Sequence, residues 1–400
     1  MGEDSKLSTL TIGIPVHDEE RSLPDSYASL VEAINRLPKY VQVEVIYCVN
    51  GCTDKSEHIL RNMTQGSRRM DDFKVIESEP GKMNAQKAIV ANRRFKDGPI
   101  CFADADILMG HMALAALYKK LTDDPECMVS YAHVEPYYDG ESDPSLSAFP
   151  DLLFTHYNYR KHQPPRSYFH GRTFMMRDAH HIEEMGLDLD KRVARVMEMD
   201  PWFVEHLHLE DGPLVDDIYL SRVIVAEHGV DAIVEVPEAQ ILFHPPTTVE
   251  DFFHVIDRTR TEIKRLDLLY PEHAPIQKEH FRRAFEDASI YMPEGERMKL
   301  RLLREIEDAF SRRIDEGLMS PTERKNPLAQ THWVHARTTK QSFGLVTDSF
   351  LSASPDALIN QGLKSVKTGD VQKGPGLAEV GAHHQDKTDG GPHEDGPPMH

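Results

Sequence analysis

Cysteine, positive charge and long apolar runs are scarce in this chain, and each shortage excludes something. The four cysteines among 400 residues, Cys48, Cys52, Cys101 and Cys127, fall in or beside apolar, strand-like runs. That suits reduced thiols better than a disulfide framework. No paired Cys-x-x-Cys or His spacing marks a zinc site. No run approaches the about 18 consecutive apolar residues of a membrane span, and the opening Met1-Gly2-Glu3-Asp4-Ser5-Lys6 lacks the basic-then-apolar build of a signal peptide. The expectation is a soluble, cytoplasmic protein with no integral membrane segment. With 46 basic against 66 acidic residues and a net charge of -20, the chain has no electrostatic footprint for nucleic acid or an anionic membrane. Its length allows one large domain or two, with tails.

What is present centres on Pro99 to Met109, where a short apolar run delivers Asp104 and Asp106, one residue apart. Residues two apart on a strand point the same way. Two acids on one face repel each other and are costly to bury unless a divalent cation or a set of donors lies between them. Hard cations such as Mg²⁺ or Mn²⁺ take oxygen ligands and bridge carboxylates to phosphates, which suggests a metal-diphosphate site. An acidic turn closing a strand reads the same two residues without a ligand.

The preceding chain favours the ligand. Leu10 to Ile14 reads as a strand stopped by Pro15, and Val16 to Glu20 as a polar turn. Leu23, Tyr27, Leu30, Ile34 and Leu37 then form the buried stripe of a helix. Val43 to Val49 is a second strand closing on Asn50 to Asp54, with Thr53 or Asp54 as candidate N-cap. Phe73 to Ile76 is a third strand, Gly81 to Ala88 opens a helix, and Ile100 to Ala103 is a fourth strand. Strand and helix alternating in units of roughly 30 residues argue an α/β fold with a parallel, doubly wound sheet. In such sheets ligands sit at the carboxyl ends of the strands. His17, Asn50, Lys82, Asp104 and Asp106 all fall there. Together they suit a nucleotide diphosphate, with base and ribose on the polar strand ends and the phosphates on a metal and Lys82.

The run Ile12 to Glu20, then Val49 to Asp54, then Gly81-Lys82 ahead of a helix, then Asp104-Ala105-Asp106 resembles the nucleotide-binding half of family 2 glycosyltransferases over about the first 110 residues. The resemblance implies a GT-A fold: a Rossmann-like, nucleotide-diphospho-sugar transferase mixed sheet flanked by helices. It implies that Pro15, His17, Glu19 and Asn50 line the base and ribose pocket, with Asp104 near the ribose and Asp106 on Mn²⁺ or Mg²⁺. His17 stands where the family often has Tyr or Phe, and Asn50 where it often has Asp. The donor is expected to be a nucleotide diphosphate sugar, UDP first and GDP next, and the acceptor a hydroxyl of unknown identity.

The acceptor half begins with a helix over His111 to Leu121 and a strand over Met128 to Val134. Phe149, Phe154, Tyr157, Tyr159, Tyr168 and Phe169 offer faces for a sugar or an apolar acceptor, or simply core. Gly171 to Arg177 resembles the family's small-residue strand behind the acceptor. In Glu210 to Ser221, Asp216 and Asp217 sit at a helix start, where carboxylates are favoured anyway. The stretch resembles the family's Glu-Asp motif, which implies that Asp217 is the general base of an inverting single displacement. Ala232 to Val236 and Ala239 to Phe243 read as strands, the second ending at His244-Pro245-Pro246, which by itself reads equally as a capped turn. The resemblance to GT-A enzymes, several of which complete the metal shell with a histidine downstream of the base, implies His244 as a candidate third metal ligand. Thr248 to Leu266 reads as a helix. Its Asp257 to Thr261 lies where processive members carry Gln-x-x-Arg-Trp and keeps only Arg260, so a polymer-extruding synthase is not expected. Arg258, Arg260 or Lys264 could neutralise the departing diphosphate.

Domain boundaries follow: 1–110 for the nucleotide-sugar half, 111–270 for the acceptor and catalytic half, 271–320 for a helical extension. Residues 321–400 are expected to be largely irregular, with a disordered Gly-, Pro- and His-rich tail whose histidines are unsuited to a fixed metal site. Other readings stay open at this point: a retaining GT-A enzyme, a sugar-1-phosphate nucleotidyltransferase, or a non-catalytic nucleotide-sugar-binding protein. The nucleotidyltransferases usually open with a Gly-rich, basic loop after the first strand, and here that loop is acidic. A haloacid-type phosphatase also uses Asp-x-Asp, but typically at its first strand.

Overall fold

The structure, a computed structural model, describes residues 8–65, 73–137, 152–153, 155–156, 168–276 and 293–321. Among them the chain alternates as read from the sequence: β1 (Thr9–Val16), α1 (Leu23–Asn35), β2 (Gln42–Asn50), α2 (Ser56–Gln65), β3 (Phe73–Ser78), α3 (Lys82–Asn92) and β4 (Ile100–Ala103). Ile12, Ile46 and Phe102 are fully buried, as expected of strands covered by helices on both faces. Leu23, Leu30 and Ile34 of α1 turn inward, and Leu37 is buried just past the helix end. All four cysteines are free.

Next come β5 (Ile107–Met109), α4 (Ala113–Asp123), β6 (Val129–Pro136), β7 (Thr173–Met176), α5 (His180–Glu183), α6 (Leu189–Met199), α7 (Pro201–Leu207), α8 (Asp216–His228), β8 (Ile233–Phe243), α9 (Val249–Leu269) and α10 (Glu294–Gly317). The eight strands form one sheet in the order β3-β2-β1-β4-β7-β6-β8-β5. The parallel expectation holds for β3, β2, β1 and β4. Beyond them β7 runs antiparallel to both β4 and β6, so the whole sheet is mixed, as the GT-A resemblance implies. The two strands read over 232–243 are one strand, β8. Its register against β6 jumps between Ala132 and His133, from Val236 to Gln240, leaving Pro237 to Ala239 as a bulge. Proline inside a strand is tolerated at such an irregularity because no ladder donor is needed there.

The sheet must curl. Only residues 104 to 106 separate β4 from β5, a reach of at most about 14 Å, yet in strand order β5 lies four places away, roughly 19 Å along a flat sheet. The curl folds the far edge back toward the carboxyl end of β4. Two large apolar clusters cover the faces, one gathering α1 and α4 and the other α3, α8 and residues of α9. α9 starts at Thr248, whose hydroxyl accepts from the Asp251 amide at 3.1 Å. α10 packs along α9 through the Phe253 and Phe310 rings, 5.0 Å apart. Of the aromatic run, Phe169 is core against Phe174 at 4.5 Å, and Phe149, Phe154, Tyr157 and Tyr159 lie outside the described residues. The C-terminal tail also lies outside them. Among the described residues no helix is long and apolar enough to cross a membrane.

Candidate active site

The ends of β1 and β2 are stitched together by the residues read as a base pocket. His17 donates from Nδ1 to the Asn50 carbonyl at 2.9 Å. The buried Asn50 amide donates to the Val16 carbonyl at 2.9 Å and its Oδ1 accepts from the Gly81 amide at 3.4 Å, tying both strands to the start of α3. Asp18 takes a positive φ of 55°, a conformation Asp tolerates better than most residues. Burial raises its pKa, but donors at Thr53 and Asp54 and the neighbouring His17 outweigh it and hold the carboxylate below its ordinary range. Asp54, read as a cap, accepts from the Ser56 and Glu20 amides. Glu19 is buried and accepts from the Ser22 hydroxyl at 2.8 Å, and Pro15 is half-buried on β1.

Lys82 is where the two halves meet. Gly81, at φ 119°, turns the chain into α3 in a conformation that strains any side chain, and Lys82 follows as the first helical residue. Its Nζ lies 2.7 Å from Asp104 Oδ1 and 3.4 Å from Asp216 Oδ2, and it donates to the Gly171 carbonyl at 2.8 Å. One turn on, the buried Gln86 donates to Asp216 Oδ2 at 2.6 Å. Gly171 in turn donates its amide to Asp217 Oδ2 at 2.7 Å. A Cβ on Gly171 would stand 2.8 Å from Asp216 Oδ1 and 3.0 Å from Lys82 Nζ, so this close approach requires glycine. The preceding His170 is held by the Ala132 carbonyl at 2.7 Å and the Arg172 amide at 3.3 Å.

The electrostatics are lopsided: Asp104, Asp216 and Asp217 all act on one ammonium. Burial would lower the Lys82 pKa, but Asp104 and Asp216 outweigh it and keep the amine charged. Asp217 is pushed up to about 6, by burial first and by the charge of Asp216 second, against the pull of Lys82, the Gly171 amide and Arg258. Its second oxygen, Oδ1, is buried with no hydrogen-bond partner among the described residues.

The curl brings the remaining candidates to the same end of the sheet. β5 and β8 are antiparallel with Ile107 opposite Phe243, so Asp106, just before Ile107, and His244, just after Phe243, occupy successive positions on facing strands. Asp106 is half-buried; His244 is exposed, its ring 5.2 Å from that of Tyr137. Beside them the Arg172 guanidinium lies 3.9 Å over the Phe243 ring, and the Asp104 amide donates to the Arg172 carbonyl at 2.7 Å.

Arg260 is not gathered with these residues: it makes a two-pronged pair with Asp315 of α10. Arg258, one of the alternatives for the leaving group, is exposed and acts electrostatically on Asp217. Lys264 lies 4.7 Å over the Phe203 ring.

The sequence reading missed a clamp on α9. Glu262, fully buried, accepts from the Leu214 and Val215 amides at 2.9 and 3.4 Å, the two residues ahead of Asp216, and from Arg265 Nε at 3.1 Å. Arg265, equally buried, donates to the carbonyls of Leu207, His208 and Gly212. One buried ion pair thereby fixes the loop that delivers Asp216 and Asp217. Gln86 was legible in principle, one helical turn from Lys82 on the same face; Gly171, Glu262 and Arg265 carry no sequence signal of this role.

A sheet whose β3, β2, β1 and β4 run parallel, with polar strand ends and an acid pair delivered after β4, has the arrangement of the GT-A fold. Residues 11–183 match the model of the family described as Glycosyl transferase family 2. Among solved structures, a mycobacterial protein is 19% identical over 67% of this chain and 76% of its own, with a TM-score of 0.40. Glucosyl-3-phosphoglycerate synthase from Mycobacterium tuberculosis, crystallised with Mn²⁺, UDP and glucosyl-3-phosphoglycerate, is 17% identical over 66% of this chain and 80% of its own, with a TM-score of 0.37. The same enzyme with Mg²⁺ and UDP is 16% identical over 67% and 84%, with a TM-score of 0.36. No curated protein matches the chain.

Proposed function

We propose that this glycosyltransferase moves a sugar from a nucleotide diphosphate sugar, a UDP-sugar in the first instance, to an acceptor hydroxyl by single displacement, with inversion and with Asp217 as general base. The observation that carries the reading is the state of Asp217: Oδ2 is fixed by the Gly171 amide, Oδ1 is buried with no partner among the described residues, and the pKa is raised to about 6. A base poised near neutral pH with one oxygen free to accept a proton is what the acceptor hydroxyl requires. The hydroxyl oxygen attacks the anomeric carbon as its proton passes to Asp217. The bond from that carbon to the diphosphate oxygen breaks, and the electron pair leaves with the diphosphate.

The donor set fits a divalent cation. Asp104, Asp106 and His244 supply two carboxylates and an imidazole beside a cluster where acids outnumber the one ammonium, the hard oxygen-rich surroundings that Mn²⁺ and Mg²⁺ select. Such an ion, when bound, neutralises charge on the diphosphate. Lys82 holds Asp104 and Asp216 in a fixed relation, Arg258 offsets charge on the leaving group, and Pro15, His17, Glu19 and Asn50 take the base and ribose.

The test is a thermal-shift panel of UDP, GDP, CDP and their sugars, each with Mn²⁺ and with EDTA, on wild type and Asp106→Ala. A folded-state ligand raises apparent stability by mass action. A shift with one nucleotide that vanishes in EDTA and in Asp106→Ala supports the donor site and names the base. No shift with any of them removes it. The anomeric configuration of the product, read by NMR, then decides the route: retention would take the base role from Asp217.

A further inference from the structure

At the end of α8 opposite Asp216 and Asp217 the chain gathers a second set of ligand-bearing side chains. His181 of the short helix α5 is buried, its side chain only 5% exposed, and its ring makes no hydrogen bond among the described residues. Its Nε2 faces Glu227 Oε2 at 3.8 Å, beyond hydrogen-bond reach, and His228 Nε2 faces the same oxygen at 3.8 Å. The ligand atoms of all three residues lie within 4.8 Å of one another. The edges of a tetrahedron around an ion with bonds near 2.0–2.1 Å are about 3.3 Å, so a small inward rotation of the two surface side chains closes the set. Glu227 and His228 are the last two residues of α8, ahead of Gly229, where the carbonyl end of the helix favours positive charge.

We propose that His181, Glu227 and His228 form a second cation site, separate from the donor site, that takes a nitrogen-preferring divalent ion of the Zn²⁺ class and fastens α5 to the last turn of α8. Two imidazoles and one carboxylate are a zinc-type ligand set, unlike the carboxylate-dominated set at the ends of β4 and β5. The fourth position opens to solvent on the side of Glu227 and His228, the latter with 37% of its side chain exposed.

The experiment is a Zn²⁺ titration of the full-length, metal-stripped protein against a chromophoric chelator, on wild type, His228→Ala, His181→Ala/His228→Ala and Asp106→Ala. Histidines elsewhere in the chain contribute equally to every sample and cancel. Wild type should bind one equivalent more than the double variant, that equivalent should survive Asp106→Ala, and His228→Ala should weaken it at least tenfold. X-ray absorption of the zinc-loaded protein should show two imidazole ligands. His228→Ala alters a part-exposed side chain and keeps the test valid even where removing the buried His181 ring unfolds the double variant. Equal affinity in wild type and His228→Ala overturns the proposal. So does loss of the extra equivalent in Asp106→Ala, which would assign the zinc to the donor site.

Discussion

The half built on β1 to β4 and the half built on β6 to β8 deliver polar residues to the same end of the sheet over different ranges of chain. In the first, His17, Asn50 and Gly81 are joined by hydrogen bonds spanning 31 to 34 residues, about one strand-helix-strand unit each. In the second, Asp217 is fixed by a partner 46 residues away, the loop before it by one 48 away, and Asp216 by Gln86, 130 residues away. A repeating unit can specify the first kind of contact with local rules, since each strand end presents its next polar residue to the shared edge. The second kind depends on single pairings with no repeat behind them. Single substitutions should therefore cost most in the half built on β6 to β8.

Four expectations sharpen or break that contrast. Asp217→Asn should lower kcat by about 10²- to 10⁴-fold while leaving the nucleotide-induced thermal shift intact, read as UDP release with a hydroxyl acceptor found by screening. Because Asp217 is raised to about 6, it is protonated and inactive as a base at lower pH. kcat/KM should climb with pH through that value in wild type, and the limb should vanish in the Asn variant. The same raised pKa means that ionising this acid costs folding stability as pH rises from 3.8 toward 6. The melting temperature of Asp217→Asn should accordingly gain on wild type across that window.

Glu262→Ala leaves Arg265 charged and buried without its carboxylate, for an expected loss of about 3–5 kcal/mol by urea unfolding. Pairing it with Arg265→Met should recover much of the loss; failure to do so would mean the Arg265 contacts to Leu207, His208 and Gly212 dominate. Gly171→Ala should cost about 1–3 kcal/mol and reduce turnover, because the added methyl meets Asp216 and Lys82 together. At the far end, Arg61→Ala in the half built on β1 to β4 removes the exposed pairs with Glu57 and Glu77 and should shift stability by less than about 1 kcal/mol. A larger effect there than at Glu262 would break the comparison.

Much of the first half is legible in its residues alone. Leu23, Leu30 and Ile34 recur at the helical period, β1, β2 and β4 are short apolar runs, and the polar residues follow directly on their ends, so burial period and strand direction place His17, Asn50, Lys82 and Asp104 together. Strand periodicity alone did not show that β7 runs antiparallel, because a four-residue strand carries no mark of its direction; direction follows from what lies beside it. The kink in β8 made one strand read as two for a similar reason, since Pro237 breaks the alternation but not the strand.

The sequence by itself determined the α/β alternation, the strand-end acids and the resemblance of its first 110 residues to a nucleotide-sugar-binding half, because these rest on residues adjacent in the chain and on periods of two and 3.6. Only the tertiary structure decided that one ammonium joins Asp104 to Asp216, that Asp217 keeps one oxygen without a partner among the described residues, that Arg260 belongs to Asp315 and that Glu262 and Arg265 hold the loop ahead of the acid pair. The physical reason is common to all four. Electrostatic and hydrogen-bond energies depend on distance and burial, and for residues far apart in the chain both are set by the curl of the sheet and the packing of α8 and α9 on it.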